Sequence, residues 1–309
     1  MNQESGVQKR ITVGIPAYNE EQNILNLLRS LEEQQHARGL AISQVIVSDD
    51  SSDGTPSLVE KFALRSPLDI KIVHHRARRG AAAAWNEIFQ LAAGDVIVLY
   101  DADTVPHPCC TEELASRIRG DAVLCASNSQ PVQATGAAGR ASIFLSNWLR
   151  SVRLAEDLSQ YTVMGRALAI DSRAASRIEI PPEIIAIDLY LQCRVLEMGL
   201  NVVYNDNAII YFKPAGSMQD LASQVVRAVN GHSQLRDYIS RLDIGLPAQA
   251  AIAEAAKNAA KDPLGAASAA IGYSLMPYYM SRLKNANSAK WHTAKTSKSI
   301  DYQQLKTRF

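Results

Sequence analysis

Short unbroken apolar runs alternate with amphipathic stretches along the first hundred residues. RITVGIPAY, from Arg10 to Tyr18, is continuous and apolar and predicts a strand buried on both faces. NEEQNILNLLRSLEEQ follows, with Ile24, Leu27, Leu28 and Leu31 on one helical stripe, Asn19 as the expected N-cap and acids in the expected first turn. SQVIVSDDSSDGT predicts a second buried strand ending in acids and a glycine turn. PSLVEKFALRS reads as helix, DIKIVHH as a third strand, RRGAAAAWNEIFQLA as a helix opened by a glycine turn, and GDVIVLYDADT as a fourth strand. This cadence predicts an α/β fold: a doubly wound, mostly parallel sheet with helices on both faces. Ligands of such sheets bind outside the carboxyl ends of the strands. Asp49 and Asp50, and Asp101 and Asp103, stand at such ends.

The pattern loosens in the middle. DAVLCASNSQPV and YTVMGRALAI predict strands, and RASIFLSNWLRSVRLAED a helix. PPEIIAIDLYLQCRVLEMG contains a helix stopped by Gly199, NVVYNDNAIIYFKP makes one or two short strands, and SMQDLASQVVRAVNGHSQL is helical. Beyond Leu246 the chain turns Ala-rich, then rich in Tyr and Met, then basic. The expected division is a catalytic domain over 1–245, with a nucleotide-binding half to about residue 108 and an acceptor half over 109–245. A helical extension over 246–309 follows. The tail after Trp291 is expected to stay loose until something binds it.

Composition narrows the function classes. With 309 residues and 47% hydrophobic content, the chain can bury a full core. A net charge of +1 provides no global field for nucleic acid. The four cysteines form no CxxC pair and no zinc spacing, which reads as reduced thiols in a cytoplasmic protein. The first residues, MNQESGVQKR, lack the apolar core of a secretory signal. His74, His75 and His107 stand beside strand ends and read as surface residues.

Acids are poor strand formers and costly to bury, so an apolar strand ending in Asp101-Ala102-Asp103 implies a positive partner. Converging carboxylates suit a hard divalent cation, Mg2+ or Mn2+, which keeps water and phosphate oxygens in its shell.

The blocks ITVGIPAYNEEQNI, VIVSDDSSDGT, RRGAAAAWNEIFQLAAGDVIVLYDADT and AIDLYLQCRVLEMGLNVVYNDNAIIY resemble, in order and spacing, the family 2 glycosyltransferases of GT-A fold. The resemblance covers about Ile11 to Gly231. It implies a hexosyl- or N-acetylhexosaminyltransferase that moves a sugar, with inversion and a divalent metal, from a nucleotide-sugar (most often a UDP-sugar) to a glycan or lipid-linked acceptor. By position, Pro16, Ala17, Tyr18 and Glu20 would line the nucleoside pocket with Asp50, whose carboxylate would accept from the uracil ring. Arg79 and Gly80 match the basic-Gly turn near the donor phosphates. Asp101 and Asp103, with Ala102 between them, match the metal-binding D-x-D, Asp103 being the more direct ligand. Asp188 matches the catalytic base, although Ile187 stands where the family more often has Glu. Gln224 and Arg227 match the Q-x-x-R-W motif, with Ala228 in place of Trp. Gly165, in GRAL, matches a small-residue block on the acceptor side.

Two other readings compete. A polyprenyl-phosphate glycosyltransferase shares the strand-end blocks, but the Q-x-x-R pair speaks against it. A catalytically impaired nucleotide-sugar-binding protein is the other, raised by Ile187 and Ala228. The segment 263–283, apolar and tyrosine-rich and then basic, suits either peripheral contact with the inner face of a membrane or packing on the catalytic domain. Pro277 argues against its spanning a bilayer. From Arg282 to the end, seven Lys/Arg face one acid, Asp301.

Overall fold

The computed structural model describes residues 9–34, 40–155, 166–283, 300 and 302–307. The amino-terminal half alternates: β1 (Lys9–Ala17), α1 (Ile24–Glu32), β2 (Leu40–Asp49), α2 (Thr55–Ala63), β3 (Ile70–His74), α3 (Ala81–Leu91) and β4 (Val96–Tyr100). Then come β5 (Thr104–Pro106), α4 (Cys110–Ser116), β6 (Ala122–Pro131), α5 (Gly136–Leu154), β7 (Ala167–Asp171), α6 (Ser172–Ala175), α7 (Ile187–Glu197) and β8 (Asn201–Phe212). Helices close the chain: α8 (Met218–Gln234), α9 (Arg236–Leu242), α10 (Ala248–Lys261), α11 (Pro263–Ser274), α12 (Met276–Leu283) and α13 (Tyr302–Lys306).

The eight strands form one sheet in the order β3-β2-β1-β4-β7-β6-β8-β5. The β3-β2-β1-β4 half is parallel. In the other half, β7 runs antiparallel to both β4 and β6, β6 and β8 are parallel, and β5 is antiparallel to β8. The sheet is therefore mixed, its parallel half carrying the alternating pattern. An apolar run such as ALAI has the same periodicity in either direction, so pattern alone does not reveal that β7 is reversed.

Alternation along the strands builds two cores. Ile11, Val13 and Ile15 of β1 meet Leu27, Leu28 and Leu31 of α1 on one face. Leu99, Leu124 and Leu168 meet Trp85 and Ile88 of α3 and Leu191 of α7 on the other. Each fully buried aliphatic side chain contributes roughly 1.5–3 kcal/mol of transfer free energy. The run NVVYNDNAIIYF is a single strand, β8, with extra residues where its register against β6 jumps from Asn205 to Ile209. Asp206 in that bulge accepts two bonds from Arg150 of α5, at 2.8 and 2.5 Å, and one from the Tyr204 hydroxyl at 2.8 Å.

Helix α8 lies against the start of α7 at Gly231. A Cβ there would stand 2.6 Å from the Cβ of Ala186 and 3.2 Å from its backbone nitrogen. A backbone neighbour cannot rotate away. Gly231→Val is thus expected to lower stability by about 1–3 kcal/mol, measured as a lower urea midpoint at unchanged slope.

The expected loose tail is corrected for the residues the structure describes. Ile300, Tyr302 and Leu305 pack with Val105 and Tyr211. The Tyr302 hydroxyl donates to Glu33 at 2.6 Å, and the Asn26 amide donates to the Ile300 carbonyl at 3.0 Å. Three apolar side chains, Ile300 ahead of α13 and Tyr302 and Leu305 on it, find the apolar edge made by β5 and β8, and burial outweighs the basic character of the segment.

Candidate active site

The donor side is built by pairing the first two strands. Ala17 stands opposite Asp49, and the Asp50 N–H donates to the Ala17 carbonyl at 3.0 Å. This brings Pro16, Ala17 and Tyr18 beside Asp50. The loops after β1 and β2 are stitched together. The Asn19 N–H donates to Ser51 Oγ at 2.8 Å, and its side-chain oxygen accepts from the Ser52 N–H at 2.8 Å. The Glu20 N–H donates to Thr55 Oγ1 at 2.9 Å. Asn19 is therefore not the expected helix cap. It adopts a left-handed backbone (φ 55°), while α1 begins later, after Asn23, with Glu20 and Glu21 ahead of its first turn. The Glu20 carboxylate accepts from the Asn23 amide at 2.9 Å.

Asp50 is buried and clamps the turn before α3. Its carboxylate accepts from the Arg79 and Gly80 N–H groups at 2.6 and 3.0 Å, and from Arg79 Nε at 3.1 Å. Gly80 permits the turn with φ 99°. The Arg79 guanidinium also bonds Glu87 at 3.2 and 3.1 Å and Ser48 at 3.2 Å. Its charge is held by carboxylates of the protein, and these bonds fix the shape of the turn. The neighbouring Arg78 lies 3.8 Å above the Tyr18 ring, against the loop after β1. Burial raises the Glu87 carboxyl, but bonds from Arg79 and Ser48 bring it below its ordinary value. A lowered carboxyl stabilises above its unfolded value, near 4.5, and loses that contribution as pH falls through the folded value. Glu87→Gln is expected to cost about 1–2 kcal/mol at pH 7, with the gap to wild type closing below about pH 4. Urea titrations at both pH values measure it.

The second group surrounds the end of β4. The Asp101 N–H donates to the Arg166 carbonyl at 2.9 Å, extending the β4–β7 ladder. Its own carbonyl accepts from Thr104, at 3.2 Å from N–H and 2.7 Å from the hydroxyl, and Ala102 is buried. A tight turn thus holds Asp101 and Asp103, both half-buried. Asp188 sits in the first turn of α7, whose cap position is Ala186, so capping is not its role. Ile187 is buried in the core beside it, which accounts for an apolar residue there. Gln224 and Arg227 are half-buried on α8, one turn apart, and Arg227 lies one turn before the Gly231 contact with α7.

These groups share one electrostatic field. Burial and the Asp103 carboxylate push the Asp101 carboxyl well above its ordinary value; Arg166 and Arg227 pull it back, and Asp188 adds to the rise. Burial lowers the Arg227 guanidinium, while Asp101 and Asp188 raise it. Five elements therefore meet: the β4–β5 turn, the residue before β7, α7, α8 and α5, whose buried Arg153 interacts with Asp188 and lies 5.5 Å from the Tyr204 ring. Gly165 lies outside the described residues.

Sequence reasoning missed Arg78, Arg153 and Arg166. Single arginines carry no motif. Arg166 directly precedes the apolar run of β7, opposite the strand that ends in Asp101, and that placement was the available signal. Its guanidinium carbon lies over the Phe212 ring, 3.7 Å from the centroid, and its Nε is buried without a hydrogen-bond partner.

Comparison with known proteins identifies the family and the fold. A family model described as Glycosyl transferase family 2 matches residues 12–167, half of the chain. The dolichol-phosphate mannosyltransferase of Pyrococcus furiosus is 32% identical over 99 residues, 32% of this chain and 27% of that protein. The undecaprenyl-phosphate 4-deoxy-4-formamido-L-arabinose transferase of Pseudomonas paraeruginosa is 33% identical over 98 residues, 32% of this chain and 29% of that protein. These matches span less than a third of either relative. Among solved structures, the mannosyltransferase PcManGT of Pyrobaculum calidifontis, in complex with GDP-Man and Mn2+, superposes with TM-score 0.56 at 23% identity, over 91% of this chain and 84% of that one. S. aureus TarS in complex with UDP-GlcNAc superposes with TM-score 0.52 at 18% identity, over 81% of this chain and 89% of that one. At these identities the likeness is one of fold, the GT-A fold. Asp188, Gln224 and Arg227 lie beyond the family match, so their place in the site rests on the geometry above. Residues 12–167 carry the family's pattern on the family's fold, and the chain belongs to glycosyl transferase family 2, a family of sugar-transferring enzymes.

Proposed function

We propose that this enzyme transfers a hexose or N-acetylhexosamine, with inversion, from a nucleotide-sugar, a UDP-sugar in the first instance, to a hydroxyl of a glycan or glycolipid in the cytoplasmic compartment. The observation that carries this reading is the convergence of Asp101, Asp103 and Asp188 with Arg166 and Arg227. The nucleoside lies on the stitched loops, against Tyr18 and Asp50. Asp188 takes the proton from the acceptor hydroxyl as its oxygen attacks the anomeric carbon. The bond from that carbon to the diphosphate oxygen breaks, and its electron pair leaves with the nucleotide. Arg227 and Arg166 face the developing negative charge.

The site chemistry fits a divalent cation. Asp101 and Asp103 are oxygen ligands, and their mutual repulsion is relieved by positive charge between them. Asp101 and Asp103 are the residues that would hold the cation. Mg2+ or Mn2+, when bound, supplies Lewis-acid stabilisation of the departing diphosphate.

A second reading is a phosphorylated polyprenol as acceptor. Arg166, with a buried unpartnered donor, favours it, as do the lipid-phosphate acceptors named for the two relatives. There the nucleophile is already ionised and needs no base.

A melting-temperature screen of nucleotide-sugars with and without Mn2+ tests the donor. A ligand at a hundred times its Kd stabilises by about 2.7 kcal/mol. One nucleotide series is expected to raise the melting temperature, and to do so chiefly with metal. Equal shifts without metal contradict the proposed ligands.

A further inference from the structure

Helix α11 has its polarity reversed. Its inward face, packed on α5 and α8, is made of Gly265, Ser268, Ala269 and Gly272. A Cβ on Gly272 would stand 2.9 Å from Met218 Cε, at the contact between α11 and α8. The large apolar side chains lie beside that face and outside the packing: Leu264 is 70% exposed, Ile271 56%, Leu275 40% and Tyr278 53%. Their spacings of seven, four and three residues place them on one helical face, running from α11 onto α12. A helix at a water-exposed surface normally turns its large apolar residues inward. The packing on the catalytic domain and the outward apolar face are both present, so the two readings of this segment are not exclusive.

Charge identifies the occupant. Pro263 to Ser281 carries no charged residue, and the next residues, Arg282 to Lys298, hold five Lys/Arg and no acid. An apolar face flanked by a run of cations matches an anionic lipid surface, where aliphatic side chains enter the acyl boundary and cations meet the headgroups. No helix among the described residues is long and apolar enough to cross a membrane, so the contact is one of lying on the surface.

We infer that the face formed by Leu264, Ile271, Leu275 and Tyr278 docks on an anionic bilayer, the sign of the surface being argued from the basic sequence that follows the face along the chain. The docked helix packs on α8, which carries Arg227, so the acceptor side of the site is held close to the lipid. This does not depend on which acceptor the enzyme uses.

Co-sedimentation of the full chain with vesicles tests it. The chain should bind phosphatidylcholine vesicles containing a third phosphatidylglycerol, at least tenfold more tightly than pure phosphatidylcholine, and should dissociate at high salt. The triple variant Leu264→Ser, Ile271→Ser, Leu275→Ser, with its melting temperature unchanged because the residues are exposed, should lose at least tenfold in binding. Replacing Lys284, Lys290, Lys295 and Lys298 by Gln should weaken binding by about fivefold per charge. Absence of binding to anionic vesicles, or equal binding by wild type and triple variant, overturns the inference. So does light scattering that shows a dimer dissociated by the triple variant without vesicle binding, which would make a second copy of the chain the occupant.

Discussion

Asp188→Asn is expected to lower kcat by about 10^2–10^4-fold, while the donor KM moves by no more than a few fold. The substitution keeps the shape and removes only the capacity to accept a proton. Asp188 sits in the first turn of α7, where the helix dipole favours a carboxylate. It shares its surroundings with Arg227 and Asp101. Its cap neighbour Ala186 and buried neighbour Ile187 leave it the one acid of that turn. Steady-state rates with a water-soluble acceptor measure the effect. Full activity in the variant removes Asp188 as base, and full activity with an ionised acceptor alone assigns the enzyme to phosphate acceptors.

The second large effect is at Asp103. Asp103→Asn should abolish the Mn2+-dependent part of donor binding and lower kcat/KM by about 10^2-fold or more, since metal stabilisation of a leaving diphosphate is worth several kcal/mol. The same change should act in the opposite direction on the metal-free protein. Burial together with Asp103 raises the Asp101 carboxyl, so removing the Asp103 charge relieves repulsion on Asp101 in the metal-free protein. A variant more stable without metal, yet unresponsive to Mn2+ and nucleotide, is the signature. Calorimetric titration of the nucleotide with and without Mn2+, paired with urea unfolding, reads both.

The parallel half of the sheet and the acids at its strand ends were legible because buried parallel strands leave unbroken apolar runs and the intervening helices leave amphipathic ones. The direction of β7 was not, since periodicity carries no sign. The pairing of Asp50 with the Arg79–Gly80 turn could be anticipated as proximity but not as chemistry. Which of two adjacent arginines turns inward is settled by Glu87, seven residues beyond Gly80 on α3, and the sequence offered Arg78 and Arg79 alike. Asp188 and Arg227 were named by motif position. Arg153 and Arg166 entered only when folding brought α5 and β7 to the acids. The docking of Ile300, Tyr302 and Leu305 was hidden by the basic residues around them.

Anomalous diffraction at the manganese edge, from crystals grown with nucleotide diphosphate and Mn2+, tests the central claim most directly. The account predicts one strong peak about 2.0–2.2 Å from a carboxylate oxygen of Asp103, touching the diphosphate, with Asp188 and Arg227 lining the same cleft. A peak on other residues, or a nucleotide bound away from the β4–β5 turn, would contradict it.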